Sequence, residues 1–165
     1  NHPNRSFCRR VSPAPKRSQG EWGLFLECLK DDPHFSEILT RTDLVVYQEM
    51  PFFWRMDEHR CLEGIIDLAL FDPLEKRWSI LDWKTNQIER DAIGKLREFY
   101  LPQIAAYWKA VTEMTNQNVG AEIYSTATGK FIAYDRDQLA REWERICDLP
   151  QDGLVAPISS RGRRG

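Results

Sequence analysis

The spacing of hydrophobic positions changes several times along the chain, and each change predicts a different element. Apolar residues recur every three or four positions over 22–29, 98–115 and 135–147, a period typical of amphipathic helices. Runs rich in Val, Ile, Tyr and Phe predict strands. The predicted strands are 44–54, 61–71, 77–84, 119–127 and 130–134. This order predicts a mixed α/β domain, with a central mixed sheet of about five strands flanked by helices.

Turn residues predict how these strands connect. Residues 72–76 (DPLEK) separate two strands and predict an antiparallel hairpin. Thr128-Gly129 predicts a second turn of the same kind. Pro51 interrupts the first strand of the sheet, which favours an edge position or a bulge.

Two further signals set the helix boundaries. Residues 85–96 are polar and predict a loop, so Pro102 is expected in the first turn of the long helix, where its missing N–H costs little. Asp135, with Gln138 three residues later, predicts a capping box at the start of the last helix.

Charge is distributed unevenly along the chain. The total is 23 Lys and Arg against 25 Asp and Glu, a net charge of −2, which argues against a simple basic nucleic-acid binder. Eight basic residues lie within 1–20 and 161–165, whereas 21–160 carries an excess of acid. Composition therefore predicts a basic linker or tail over 1–19, a folded domain over 20–150 and a flexible basic tail over 151–165.

Several classes of protein are excluded by what the sequence lacks. No apolar run reaches 18 residues and no apolar signal-peptide core precedes the domain, so we expect no membrane segment. The four cysteines form no CxxC pair, which argues against a zinc ribbon or a clustered iron–sulfur site. Their wide spacing predicts free thiols in a reducing cytoplasm.

Two acidic residues interrupt adjacent apolar strands. Asp67 lies within GIIDL and Asp82 within ILDWK, and the predicted hairpin brings them side by side. Because strand side chains alternate, Asp82 and Lys84 share one face and Trp83 takes the other. Two neighbouring carboxylates repel unless a proton or a cation lies between them, and Mg²⁺ prefers such oxygen ligands.

The same residues have an ordinary structural interpretation. Asp-x-Lys tripeptides are common, and in most proteins their two charged residues form an ordinary ion pair on one face of a strand. Asp82 and Lys84 fit this interpretation. Gln103 and Tyr107 lie four residues apart on one helix face and equally fit a polar stripe. The basic residues that follow the third strand of the sheet fit either a phosphate track or solvated surface. They are Lys84, Arg90, Lys95 and Arg97.

The order of these motifs resembles the RecB-type nuclease domain of the PD-(D/E)XK superfamily. The similarity runs over about residues 45–127 and is greatest to the C-terminal nuclease of AddA-type helicase–nucleases, which are fused to UvrD/Rep-like motors. It is carried by four motifs in order. They are Glu49-x-Pro51-Phe52, Gly64-Ile-Ile-Asp67, Asp82-Trp-Lys84-Thr85 and Tyr100-x-x-Gln103-x-x-x-Tyr107.

This resemblance implies a restriction-endonuclease-like core and a role for each matching residue. Asp67, Asp82 and Lys84 would be catalytic, with the two carboxylates and the backbone carbonyl of Trp83 holding Mg²⁺ or Mn²⁺. Glu49 would support them. The resemblance places the remaining matched residues beside the DNA. They are Thr85, Gln103 and Tyr107.

The chain departs from the family pattern in two places. Family members usually carry a metal-binding histidine on the first helix, but residues 20–27 contain none, so Glu21 and Glu27 are the candidates to replace it. The cysteine set of an iron–sulfur staple is also absent, since the sole cysteine downstream of the motifs is Cys147.

Two main functions follow from the resemblance, beside a weaker third, a stand-alone repair or mobile-element nuclease of the same superfamily. The first is a metal-dependent deoxyribonuclease, most simply an exonuclease, joined to a helicase motor in one polypeptide that acts in DNA repair and recombination and delivers a single strand. The alternative, which the missing histidine favours, is a degenerate nuclease fold that binds DNA or a partner domain. The acidic body predicts weak, salt-sensitive DNA binding in either case.

Overall fold

The computed structural model of the chain describes residues 7–10, 36, 40–85 and 92–149. The strands among these residues form one mixed sheet of six. They are β1 (Phe7–Arg10), β2 (Val45–Arg55), β3 (Arg60–Asp72), β4 (Arg77–Lys84), β5 (Asn118–Ser125) and β6 (Lys130–Tyr134). Two helices complete the described elements, α1 (Ile93–Thr115) and α2 (Arg136–Asp148). The predicted mixed α/β architecture is confirmed.

The sheet is organised around the long strand β3. It pairs antiparallel with β2 along one side, and with parallel β1 and antiparallel β4 along the other. Helix α1 then crosses over to β5, which lies parallel to β4, and β6 returns antiparallel to β5. Within the described strands β2 pairs with β3 alone, so Pro51 lies in an edge strand, as predicted.

The predicted hairpin between β3 and β4 closes through its own turn residues. The Oδ1 atom of Asp72 accepts hydrogen bonds from the backbone N–H groups of Leu74 and Glu75, at 2.9 and 3.1 Å. The guanidinium of Arg41 hydrogen-bonds the same carboxylate and lowers the pKa of Asp72 to about 2. The second predicted turn is also present, with Gly129 at a φ of 64°, a conformation that glycine adopts without a Cβ clash.

Both described helices pack against the same face of the sheet. The main core joins Ile66, Ile80 and Ile123 of the sheet to residues of both helices. Trp108 of α1 is 6% exposed, and its Nε1 donates a hydrogen bond to the Val119 carbonyl at 3.1 Å. A smaller cluster covers the opposite face. It consists of Leu68, Leu70, Leu81, Trp83 and Tyr124.

Helix α1 begins earlier than the sequence pattern predicts. The polar stretch 85–96 was expected to be a loop, yet the helix starts at Ile93, and Pro102 lies in its interior rather than in its first turn. Leu96 and Tyr100 are buried, so packing on the sheet extends the helix toward its N-terminus. Glu98, whose carbonyl loses its helical partner to Pro102, lies on the exposed side, where water can bond to it.

The capping box of α2 is half confirmed. Asp135 caps the helix, and its side chain accepts hydrogen bonds from the backbone N–H groups of Asp137 and Gln138. The side chain of Gln138 does not accept a hydrogen bond from the backbone N–H of Asp135. Its Oε1 instead accepts from Arg97 Nη2 at 2.7 Å, which ties α2 to the beginning of α1.

The prediction of free thiols is wrong for Cys61. This residue is disulfide-bonded, whereas Cys147 forms no disulfide and its side chain is exposed. Strand β1, which the sequence assigns to a linker, pairs with β3 in a register that sets Cys8 opposite Cys61. Spacing along the chain gave no sign of this pairing, because residues 7–10 lack the alternation of a half-buried strand.

Other predicted features fall partly or wholly outside the described residues. The predicted helix over 22–29 and the tail over 151–165 lie there entirely, so both stay predictions. Neither α1 nor α2 is both long and apolar enough to cross a membrane.

Candidate active site

The two candidate carboxylates lie where β3 and β4 stop pairing. The last regular pair of the ladder is Leu68 with Leu81, one position before Asp67 and Asp82. There the backbone N–H of Trp83 donates to Oδ2 of Asp67 at 3.0 Å, so a side chain replaces the partner that the ladder no longer supplies. The carboxylates are buried, at 8% and 5% exposure. The predicted juxtaposition of the two acids at the hairpin end is present.

A second irregularity lies on the other side of Asp67. Gln48 pairs with Leu68 and Met50 pairs with Ile66, but regular pairing is interrupted at the position between them, where Glu49 faces Asp67. Glu49 has a φ of 48°, which is uncommon for a residue other than glycine. Its side chain is exposed, so the supporting role implied by the resemblance stays a prediction.

The same irregularity changes the side-chain alternation of β3. Ile66 belongs to the helix-side core, whereas Leu68 belongs to the cluster on the opposite face. Ala69 then returns to the helix side, three positions after Ile66 instead of two or four. Asp67 therefore lies at a break in the regular pleat, the kind of distortion found next to active sites.

Lys84 lies on the helix side of β4 with Asp82, as predicted, while Trp83 packs on the other face. The Lys84 side chain is buried, and its ammonium group forms an ion pair with Oδ2 of Asp82. Among the described residues, that oxygen accepts no hydrogen bond of normal geometry, although it is fully buried. The contact with Lys84 is thus an ion pair between two buried groups, as a buried carboxylate requires.

Helix α1 supplies the other groups around the ammonium. Lys84 Nζ donates to Oε1 of Gln103 at 2.7 Å and lies 3.9 Å from the centroid of the Tyr100 ring. Gln103 in turn donates from Nε2 to the Tyr107 hydroxyl at 3.0 Å. One strand lysine is therefore held by a carboxylate, an amide and an aromatic ring.

Tyr107 connects this network to both carboxylates. Burial raises the pKa of its hydroxyl, and the negative charges of Asp82 and Asp67 raise it as well, while the hydrogen bond from Gln103 opposes them. The phenol consequently stays protonated at neutral pH. Its side chain is 2% exposed and belongs to the core.

The donor set of this site fits a hard divalent cation. Asp67 and Asp82 offer carboxylate oxygens, and Mg²⁺ is commonly held by one or two carboxylates together with water and phosphate oxygens. Within the described ranges, no group of three or more His, Cys, Asp or Glu side chains comes together. Glu21 and Glu27 lie outside those ranges, so their predicted contribution stays a prediction, as does that of the Trp83 carbonyl.

A family model described as the PD-(D/E)XK nuclease superfamily matches residues 15–157. The match covers most of the chain and includes all the residues of the site. The chain belongs to the PD-(D/E)XK nuclease superfamily. A comparison with characterised proteins found no match. Members of this superfamily are generally metal-dependent hydrolytic nucleases, and the fold implies a DNA substrate.

Sequence reasoning about this PD-(D/E)XK chain missed one residue of the site. Tyr100 was included in the motif but given no role, because the sequence does not show that its ring faces Lys84. The spacing could have indicated a role for Tyr100, because a residue three positions before Gln103 lies beside it on the helix surface. Thr85, predicted to contact DNA, is exposed directly after β4.

Gly64 allows β3, β2 and α1 to approach one another beside the PD-(D/E)XK site. A Cβ atom here would lie 2.8 Å from Cε1 of Phe52 and 3.1 Å from Cε1 of Tyr107. We expect Gly64→Ala to destabilise the protein by about 1–3 kcal/mol, as overpacked cores do, measured by urea unfolding.

Gly94→Ala is the matched control for this substitution. Among the described residues, no atom outside the adjacent helix backbone lies within 4 Å of a Cβ built at Gly94, which is in α1. Alanine there should therefore be neutral or stabilising by up to about 1 kcal/mol. A Gly64→Ala protein as stable as the parent would contradict the close approach.

Proposed function

We propose that the chain is a deoxyribonuclease domain that hydrolyses DNA phosphodiesters with Mg²⁺ or Mn²⁺. One observation carries the proposal: two buried carboxylates meet a buried lysine at the point where β3 and β4 separate. An ordinary structural ion pair needs one acid, and a second buried acid beside it repels the first unless a proton or a cation lies between them.

Asp67 and Asp82 are the residues that would hold the cation. When bound, the cation polarises a phosphate oxygen and lowers the pKa of water near it. Asp67 is oriented by the Trp83 N–H, which donates to its Oδ2 at 3.0 Å. Asp82 carries the buried oxygen that lacks a well-directed donor.

Lys84 would orient the attacking water or stabilise the negative charge that develops on the phosphate. Its ammonium is paired with Asp82, but Gln103 and the Tyr100 ring are neutral partners that do not compete for a divalent ion. The lysine therefore stays beside the carboxylates when Asp82 binds the cation. Such a preorganised charge acts strongly in a site that excludes water.

Gln103 and Tyr107 act on Lys84 in this proposal instead of contacting DNA as the resemblance implied. Tyr107 is almost fully buried, which leaves little of its surface for a substrate. Its hydroxyl accepts from Gln103, which orients the amide so that the amide oxygen faces the ammonium. Both are positioning residues.

Tyr100 provides a test of this positioning. A cation–π contact of a desolvated lysine is worth about 2 kcal/mol, so we expect Tyr100→Leu to lower kcat for DNA cleavage by roughly 30-fold with little change in KM. Tyr100→Phe keeps the ring face and should stay within about threefold of the parent. Thermal unfolding of both variants separates lost packing from lost positioning. Equal loss in the two variants would contradict a role for the ring face.

The assignment to a particular kind of nuclease rests on the order of the motifs. Their likeness to RecB-type nucleases supports an exonuclease joined to a helicase motor, acting on a single strand during repair or recombination. The acidic body of the domain supports delivery by a motor, since it disfavours tight intrinsic DNA binding.

Cleavage of end-labelled single- and double-stranded DNA in Mg²⁺ or Mn²⁺ tests the function. We expect product only with the metal, shortening from an end, and dependence on Asp82 and Lys84. DNA binding without metal-dependent cleavage would favour the degenerate module instead. Cleavage that survives loss of both residues would contradict this site.

A further inference from the structure

The burial of Tyr107 raises the question of what the domain offers to DNA beside the site. Gln103 is engaged with Lys84 and Tyr107, and Trp83 is 4% exposed in the core of the opposite face. Phe99 differs from these residues. Its side chain is 53% exposed, although it lies on the same helix as the groups that hold the lysine.

Phe99 is directly connected to the lysine site. Its ring lies 5.0 Å from the Tyr100 ring in an edge-to-face arrangement, with an interplanar angle of 87°. The Tyr100 ring is the one that the Lys84 ammonium contacts. Phe99 also precedes Gln103 by four residues, so the two are neighbours on the helix surface, with Cβ atoms about 5–6 Å apart.

A basic residue continues the same helix face. Lys95 precedes Phe99 by four residues and is exposed. Arg97, on the same turn, is already engaged, because it donates to Gln138 and lies 5.3 Å from the Tyr134 ring. Lys95 and Phe99 therefore form a stripe, called here the α1 stripe, that runs from an exposed cation through an exposed ring toward Gln103 and the lysine site.

We propose that the α1 stripe binds a single DNA strand next to the site, with Phe99 stacking on a base and Lys95 contacting a phosphate. The inference rests on the proposed function for the position of the reacting phosphate. A single exposed phenylalanine is ordinary on a protein surface, but here it is in edge contact with the ring that holds Lys84. Single-strand binders combine basic groups with aromatic rings in this way, and stacking tolerates any base.

Binding of fluorescein-labelled oligo(dT) by the Asp82→Asn protein, followed by anisotropy, tests the proposal without cleavage. We expect Phe99→Ala to raise Kd about tenfold and Phe99→Trp to preserve it. Met114→Ala is the matched control, because Met114 is another exposed apolar residue on α1, outside the stripe. Lys95→Ala should lower the slope of log K against log salt by about 0.7.

Abasic substitution separates stacking from a general effect on the fold. We use a series of oligonucleotides that each carry one abasic site. At one position we expect the abasic site to lower the parent's affinity about tenfold and to leave the affinity of Phe99→Ala unchanged. Unchanged binding by Phe99→Ala, or an equal loss in Met114→Ala, would overturn the proposal. Absence of cleavage by the parent, with these binding results intact, would instead count against the nuclease function alone.

Discussion

Replacing Lys84 with methionine is expected to lower the single-turnover rate of DNA hydrolysis by about 10²–10⁴-fold at saturating Mg²⁺ or Mn²⁺. Methionine has nearly the same length and fills the same buried space but carries no charge. The substitution thus removes the cation that Asp82, Gln103 and the Tyr100 ring hold in place. Losses of this size are typical when a group that transfers a proton or stabilises charge in the transition state is deleted.

The same substitution should change stability in a metal-dependent way. Without a divalent cation, Asp82 is left buried beside Asp67 with no lysine, and breaking a buried pair commonly costs about 3–5 kcal/mol. A bound cation replaces the lost charge, so thermal unfolding in Mg²⁺ should recover much of that loss. This recovery shows that the protein assayed for activity is folded.

Lys109→Met is the matched control, because Lys109 also lies in an ion pair, with Glu113 on α1, but outside the site. An exposed pair of this kind contributes at most about 1 kcal/mol, and cleavage should be unaffected. If Lys84→Met cleaves DNA within about threefold of the parent rate, the lysine has no part in the mechanism.

The parts of the site that could be predicted from sequence are those set by local geometry. A short turn joins β3 to β4, so the hairpin necessarily brings Asp67 near Asp82. Strand alternation then places Lys84 on the face of Asp82 and Trp83 on the other, as observed. These inferences need only neighbouring residues, which is why they survive in the structure.

The parts that could not be predicted depend on contacts between distant segments. The reversal of alternation around Asp67 arises where regular pairing with β2 is interrupted at Glu49, and nothing in the sequence of β3 reveals it. The early start of α1 depends on burial of Leu96 and Tyr100 against the sheet, which overrides a locally polar sequence. The same packing brings the Tyr100 ring to Lys84.

Metal binding gives the sharpest distinction between an active and a degenerate site. In a calorimetric titration with Mn²⁺, we expect Asp82→Asn to weaken affinity by at least about 100-fold, since even residues that merely orient metal ligands contribute 10–100-fold. Asparagine keeps the shape of the side chain and removes its charge. Asp67→Asn should behave similarly, although its Oδ2 also holds the Trp83 N–H, so its stability should be measured alongside.

Glu113→Gln is the control for this titration, because it neutralises an exposed carboxylate on α1 that is paired with Lys109. Its metal affinity should match that of the parent. If the parent itself takes up no Mn²⁺, the two buried acids serve the fold alone and the domain is a binding module. If the parent binds and Asp82→Asn binds equally well, the cation lies elsewhere. Loss of binding in both Asp82→Asn and Asp67→Asn, with Glu113→Gln unchanged, places it between the two strands, because the end of the β3–β4 ladder is the place where these two carboxylates approach each other.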